Sequence, residues 1–446
     1  MKTVCNIFCS VFALCTVFFT SCVTAADYDF SAIDASLSSG DYEGIYQVLE
    51  TDSSVLYSSH DEVLYNLDRG LISHYSEDYS RSNEELTVAE QKIYEFFSKS
   101  ITQSISSFLI NDTVIDYAGE LYEDIYTNIF MALNYIHQGN IEDAFVEIRR
   151  FDNKLKTSSA QYADLIAQAN VSNSENGINT VDVPNVEFHN SALARYLSLI
   201  LYRSTGKLDS AEVDKKYIKN AFELQPSIYD FSMPSCIEEE FNVPKDQCRQ
   251  NIIAFTGRAP IKVEDVTRVM AVDASVYYKL ALPIMEKQAS VVKDIEVSVI
   301  DSNGNEVAST KMEKIESIEN IAMDTFEQKQ ALLYLKAITR SISKSLSTSV
   351  FGEMAESENV SVEASIIFSL LEFGSMISNE VTERADVRSS RYFPATAWVT
   401  GLNVVPGEYD VVIQYKTESG SIYSQKTYST KVDSSSLNLM ETICLR

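Results

Sequence analysis

The feature that most limits the fold is a unit that returns four times: a helix, a short turn and a second helix. Its clearest copy is IFMALNYIHQGNIEDAFVEIRRFDNKL, residues 129 to 155. SSGDYEGIYQVLE (38–50), HYSEDYSRSNEELTVAEQKI (74–93) and LARYLSLILYRSTGKLDSAEVDKKYIKNAFELQP (193–226) share the layout, with the turn at Gly or at Glu-Asp. Ala132, Gly139 and Ala144 fall where helices approach closely and a large side chain would hold them apart. One hairpin cannot bury its own apolar stripe. Stacked neighbours can, and the stack leaves a concave face open. The sequence predicts such a helical repeat domain over residues 38–230.

The layout resembles the tetratricopeptide (TPR) repeat family, with irregular spacing. A polar stretch at 170–190, broken by Gly177 and Pro184, reads as a long loop. Residues 231–256 read as a linker loop. From Gly257 the period changes. KDIEVSVIDSNGNEVASTKM (293–312) is two alternating runs about SNGN, a hairpin signal. Tyr409, Val411, Ile413 and Tyr415 alternate toward one face after the Pro406-Gly407 turn. Between them, 316–386 returns to helical spacing, with Leu335, Ile338, Ile342 and Leu346 on one stripe. The expected class is α+β: a TPR-like helical repeat domain, then a β-sandwich-like domain over 257–446 with an inserted helical hairpin.

The N-terminus is apolar from residue 4 to 20, with Lys2 the only charge before Asp27. That run is short for a spanning helix and fits a signal-peptide core. It ends Phe19-Thr20-Ser21-Cys22, the pattern of a bacterial lipobox. Residues 1–21 are then the signal peptide, Cys22 carries the lipid, and 22–37 is a tether. Dual acylation of that cysteine anchors stably where one chain would not. An ordinary secretory cut after Ala25 and an uncleaved anchor are the alternatives. Both lipidation and secretion place the mature chain in the cell envelope: lipid-anchored at the outer membrane facing the periplasm, or free as a periplasmic or secreted protein. The formal net charge of −28 repels nucleic acid and argues against it as a partner.

Three cysteines lie beyond the leader. Cys236 and Cys248 flank a loop-like segment and could close a disulfide worth about 3 kcal/mol in the chain-entropy model. No Cys/His spacing suggests zinc, and no metal or other cofactor is expected. Nucleophile elbow, phosphate loop and H-E-x-x-H motif are all missing from the sequence. His74 and His137 come late in the first helices of two repeats and could line a groove; the plainer reading makes them ordinary core or surface residues. Lys336, Arg340 and Lys344 form a basic helical stripe, most simply a solvated face. Arg384, Arg388 and Arg391 follow helical spacing around Asp386. They can clamp an acidic ligand or brace a domain joint, and the brace is the simpler reading. Glu147, Arg149 and Arg150 pose the same choice on a repeat helix.

LDRGLISHY, the long run from SFLINDTV to FDNKL, GRAPIK, LALP and ADVRSSRYFPATAWV…VPGEYDVVI occur in that order. Together they resemble an uncharacterised family of predicted bacterial lipoproteins with TPR-like N-terminal halves. Matching positions include Asn111, Asp112, Tyr117, Gly119, Tyr122, Glu123, Glu147, Arg149, Arg150, Asp386, Arg388, Arg391 and Pro394; Ser390 stands where the family pattern has an aromatic residue. The resemblance implies an envelope lipoprotein and supplies no enzymatic activity. The leading expectation is a lipid-anchored scaffold that binds an envelope protein or peptide in a TPR-like groove. The alternatives are a structural or regulatory protein of cell-wall assembly and, behind it, an envelope hydrolase.

Overall fold

The computed structural model describes residues 29–102, 115–175, 186–271, 276–327, 329–330, 333, 384–434 and 437–446. Cys22 and its leader, Asn111 and Asp112, the 336–344 basic stripe and most of the expected helical insertion lie outside them.

The chain is α+β, with most of the described helices first and one further helical stretch from 318, after the sixth strand. Those before the strands are α1 (Ser31–Ser39), α2 (Tyr42–Thr51), α3 (Ser53–Leu56), α4 (Glu62–Tyr75), α5 (Tyr79–Thr102), α6 (Leu121–His137), α7 (Ile141–Glu175), α8 (Ala192–Ser204), α9 (Leu208–Leu224) and the short α10 (Cys236–Glu239). The four predicted hairpins are present as α1–α2, α4–α5, α6–α7 and α8–α9. Each turns on a left-handed residue: Gly40, Glu77, Gly139 and Gly206. Each turn closes the same way. The amide of Asp41, Asp78, Asn140 and Lys207 donates to the carbonyl of Ser36, Ser73, Tyr135 and Tyr202, five residues back. This is the six-residue C-terminal closure that satisfies orphan carbonyls at a helix end. Ala132 and Ala144 are fully buried where the helices meet. Gly70 allows the closest approach: a Cβ there would sit 2.6 Å from Leu86, across the α4–α5 contact.

Two boundaries differ from the sequence reading. Residues 31–39 are not tether but helix α1, which buries Ile33 and Leu37, four apart, against the core. Helix α7 runs to Glu175, into the stretch read as loop.

The strands are β1 (Cys248–Thr256), β2 (Ile261–Ala271), β3 (Val276–Glu286), β4 (Asp294–Asp301), β5 (Glu306–Lys311), β6 (Glu313–Ser317), β7 (Thr396–Val404), β8 (Gly407–Lys416), β9 (Ile422–Val432) and β10 (Asn438–Cys444). One sheet has the order β10-β1-β7-β6 and a second β5-β4-β8-β9, while β2 and β3 form a two-stranded ribbon. The β4–β5 hairpin turns at 302–305 as its SNGN signal predicts. Tyr409, Val411, Ile413 and Tyr415 share the buried face of β8.

The first sheet is sandwiched between layers. Ile253, Phe255, Ala397 and Val399 point into the core shared with the helices. Ile252, Ala254, Trp398 and Leu402 point into a second core shared with Ile295, Val297, Val411 and Ile413 of the other sheet. Phe130 of α6 marks the join, packing edge-on against His74, Tyr75 and Phe393 and tilted against Phe255. Burying such a ring contributes about 2–3 kcal/mol. The helices and the strands therefore fold as one body through a common core.

That arrangement overturns the 231–256 linker. Its last third is β1, buried along its whole length, paired parallel to β10 and antiparallel to β7. Arg249, Gln250 and Asn251 made it look like loop. They are buried with most of their polar atoms answered internally; Gln250 Oε1 is the exception, with no partner among the described residues. Arg249 donates to Glu240 at 2.7 Å and to the carbonyl of Cys236 at 3.1 Å, and Asn251 donates to Glu240 and to the hydroxyl of Tyr196. The same residues replace the expected disulfide. Cys236 and Cys248 are free, buried thiols, and the arginine–carboxylate network holds the segment between them.

Candidate functional site

The cleft lies where the turns of the first two large hairpins meet the end of the strand layer. Its repeated element is legible in the chain. The turn of α1–α2 reads Gly40-Asp41-Tyr42 and that of α4–α5 reads Glu77-Asp78-Tyr79. The two hairpins deliver Tyr42 and Tyr79 from equivalent positions into one cavity of about 360 Å³. Strand β9 closes it with Lys426 and Tyr428, and β10 with Glu441.

The floor is an ion cluster. His74, at the end of α4, is 2% exposed. Its Nε2 lies 2.6 Å from Glu441 Oε1, and its Nδ1 lies 2.6 Å from Asn134 Oδ1. The amide of Asn134 is fixed by donating to Ser82 Oγ and Asn83 Oδ1, each at 2.8 Å. Its oxygen must then face the ring. Both ring nitrogens meet acceptors, so both carry protons and His74 is an imidazolium. His137 Nε2 approaches the other oxygen of Glu441 at 3.1 Å, and its ring stacks on Tyr79 with centroids 4.5 Å apart.

The electrostatics agree. Burial raises the Glu441 carboxyl, but the charges of His74 and His137 and their hydrogen bonds outweigh it and hold the group down at about 2. Burial lowers His74, and the Glu441 charge, its hydrogen bond and Asn134 bring it back above its ordinary value. Glu441 is therefore an anion tied on both oxygens, which suits it to positioning.

The upper walls are less committed. Lys426 donates to the carbonyl of Ile443 at 2.7 Å, and no carboxylate lies within ion-pair distance of it among the described residues. Burial lowers its ammonium below the ordinary range. Tyr42 and Tyr79 line the cavity, and neither hydroxyl has a hydrogen-bond partner among the described residues.

Apart from His74 and His137, the residues singled out from sequence fall elsewhere. Arg388 is a brace: it pairs with Asp386 at 2.8 Å and Asp61 at 3.1 Å, and donates to the carbonyls of His60 and Ile115. Residues 384–390 are not helical, so the three arginines do not share a face. Asp386 bends the chain by accepting from the amide of Arg388 two residues on. Arg384 is exposed, and Arg391 stacks on Phe30 at 3.7 Å. Ser390 shapes this corner by hydrogen bonding. Its hydroxyl donates to Asp68 at 2.6 Å and its amide to Glu123 at 2.7 Å. Tyr117 also donates to Glu123, and Gly119, at φ 78°, makes the turn before it. An aromatic side chain at position 390 would lose the hydroxyl contact to Asp68, whereas the contact to Glu123 belongs to the backbone. Glu147 is buried beneath Asn128, Arg150 bridges Glu147 to Glu90 on α5, and Arg149 is exposed.

Of the cleft residues, only His74 and His137 were singled out in the sequence. Glu77, Lys426 and Glu441 are single charges in unremarkable contexts. Glu77 alone left a signal, a glutamate where the sister turns carry glycine. Among the described residues no helix is long and apolar enough to cross a membrane, and no group of His, Cys, Asp or Glu is arranged to hold a metal ion. Comparison with protein-family models, curated proteins and solved structures finds no match.

Proposed function

We propose that this chain is a lipid-anchored cell-envelope protein that acts as a binding module, taking a peptide or protein segment in the cleft. The observation that carries this reading is the pair Tyr42 and Tyr79, presented by successive hairpins to one cavity. Repeat architectures recognise partners by showing equivalent side chains from successive units along a concave face. Tyrosine suits this work because it offers a broad apolar face and a polar tip with little rotamer entropy to lose. The floor supports binding over chemistry, since both oxygens of Glu441 and both nitrogens of His74 are occupied internally. The four hairpins form a TPR-like array, and the two facing sheets a sandwich-like platform that closes one end of its groove. Cys22 supplies the anchor, so the cleft works at a membrane surface.

Two measurements test the reading. A photo-crosslinking amino acid at position 79, in intact cells, should trap a discrete partner. The same group at position 94, an exposed site on the same helix, should not. Equal trapping at both sites rejects the cleft. Radiolabelled palmitate should label the native protein and not Cys22→Ser; an unlabelled native protein rejects the anchor.

A further inference from the structure

Glu77 has φ 65° and is the one non-glycine residue with positive φ among those described. The equivalent turns use Gly40, Gly139 and Gly206, at φ 77°, 74° and 74°. A side chain in this conformation costs about 1 kcal/mol or more, and glycine adopts it freely. Folding alone therefore favours glycine at position 77. Strain that persists at the mouth of a cavity points to a use for the side chain. The Glu77 carboxylate makes no hydrogen bond or ion pair with any described residue, and it lines the cleft.

Lys426 lines the same cleft, with one bond to a backbone carbonyl and two ammonium protons left over. Glu77 is close enough to favour its charged form, yet the two lie beyond ion-pair distance. An acid and an ammonium, neither in an ion pair with a described residue, thus line one cavity together with Tyr42 and Tyr79. The remaining charges of the lining are already answered. Glu43 pairs with Arg81 at 2.7 Å, Asp41 caps α2 through the amide of Gly44, and Glu441 holds the two histidines.

We infer that the cleft binds a small zwitterion, a free amino acid or a short peptide with both ends free, its carboxylate on Lys426 and its ammonium on Glu77. The tyrosine rings cover the body of the ligand, and Tyr42 and Tyr79 donate to its carboxylate or carbonyl. An opposite pair set across a gap rejects ligands that carry only one of the two charges, because the other wall is then desolvated without a partner. The cavity, about 360 Å³, has room for one to three small residues. This inference rests on reading the cleft as a binding site, and it specifies the occupant.

The test is calorimetric titration of the full-length protein in detergent with L-alanine, dialanine and trialanine, each also N-acetylated and C-amidated. At least one free member should bind, and blocking either end should weaken it tenfold or more. Glu77→Gly should abolish the effect of acetylation and Lys426→Met the effect of amidation. Glu77→Gly keeps the turn and relieves its strain, so it should melt above the wild type while binding worse. Failure of every free member to bind overturns the inference, as does equal binding of blocked and free members. Either result leaves the cleft itself standing if the crosslink at position 79 still forms. If that crosslink also fails, the binding-module reading falls with it.

Discussion

Glu441 and Asp68 are both buried carboxylates that tie helix α4 to chain from its far end. Glu441 of β10 meets His74, and Asp68 of the same helix meets Ser390, whose hydroxyl donates to it at 2.6 Å. Asp68 also accepts from Tyr57 at 2.8 Å. The outcomes are opposite. Imidazoles hold Glu441 ionised, with its carboxyl at about 2, whereas burial against neutral donors lifts Asp68 to about 7. Hydroxyl donors are too weak to repay the desolvation of a carboxylate, and an imidazolium is strong enough. The charged tie lies under the open cleft and the neutral one in a sealed corner.

The corner around Asp68 depends on Arg388, and removing that residue should give the largest effect. Arg388 is mostly buried between Asp386 and Asp61. Arg388→Ala strands both carboxylates and two backbone carbonyls, at a cost on the order of 4 kcal/mol. The melting temperature should fall by several degrees or more, while crosslinking at position 79 survives below the melt. An overlaid melt with lost crosslinking would instead make Arg388 part of the binding site.

Glu441→Gln should come next, at about 3 kcal/mol near pH 6, because it leaves His74 without a counter-charge. Its sign with pH is fixed by the shifts. The folded Glu441 carboxyl lies below its unfolded value, so its contribution is present above pH 4.5 and is lost as pH falls from about 4.5 to about 2. The folded His74 lies above its unfolded value, so its contribution is full below pH 6.5 and fades as pH rises through the folded value. The wild type should be best stabilised by this pair between those limits, and Glu441→Gln should flatten the profile. Unchanged acid sensitivity in the variant would remove the ion pair as its cause.

Asp68 runs the other way. Its folded carboxyl lies above its unfolded value, so the native state binds the extra proton and stability falls as pH rises from about 4 to about 7. Asp68→Asn keeps an acceptor for Ser390 and offers a donor to Tyr57. It should stabilise the protein by about 2 kcal/mol at pH 8 and by little at pH 4. Loss of stability at pH 8 would mean that the folded carboxyl is not raised above its unfolded value.

What the sequence disclosed follows the same divide. While most of α1 passed as tether, periodicity exposed the α4–α5, α6–α7 and α8–α9 hairpins and the strands β4, β5 and β8. It missed β1, buried on both faces and carrying Arg249, Gln250 and Asn251, since a strand with paired polar groups inside has no alternation to read. Histidines at the ends of two first helices could be noticed as groove candidates. Their partner Glu441 lies 367 residues from His74, and only the fold brings them together. Arg388 is a brace and not a helical clamp residue, since its partners are Asp61 just before α4, the carbonyls of His60 and Ile115, and Asp386 of its own bend.

The smallest effect should come from Arg150. On a repeat helix beside Glu147 it reads as an interior brace worth several kcal/mol. The fold leaves 49% of its side chain exposed, 3.2 Å from Glu90 and 3.3 Å from Glu147. Water already screens such a pair, so Arg150→Ala should cost below about 1 kcal/mol and shift the melt by at most a degree or two. The buried partner is Glu147, whose carboxyl burial raises above the ordinary range while Asn128 donates to it at 2.7 Å. Lys154 also pairs with Glu90 at 2.9 Å, so the α5–α7 contact keeps a cation when Arg150 is lost. The double variant Arg150→Ala, Lys154→Ala should therefore cost more than the sum of the two single changes. Additive costs in that cycle would show that the two cations act on Glu90 independently.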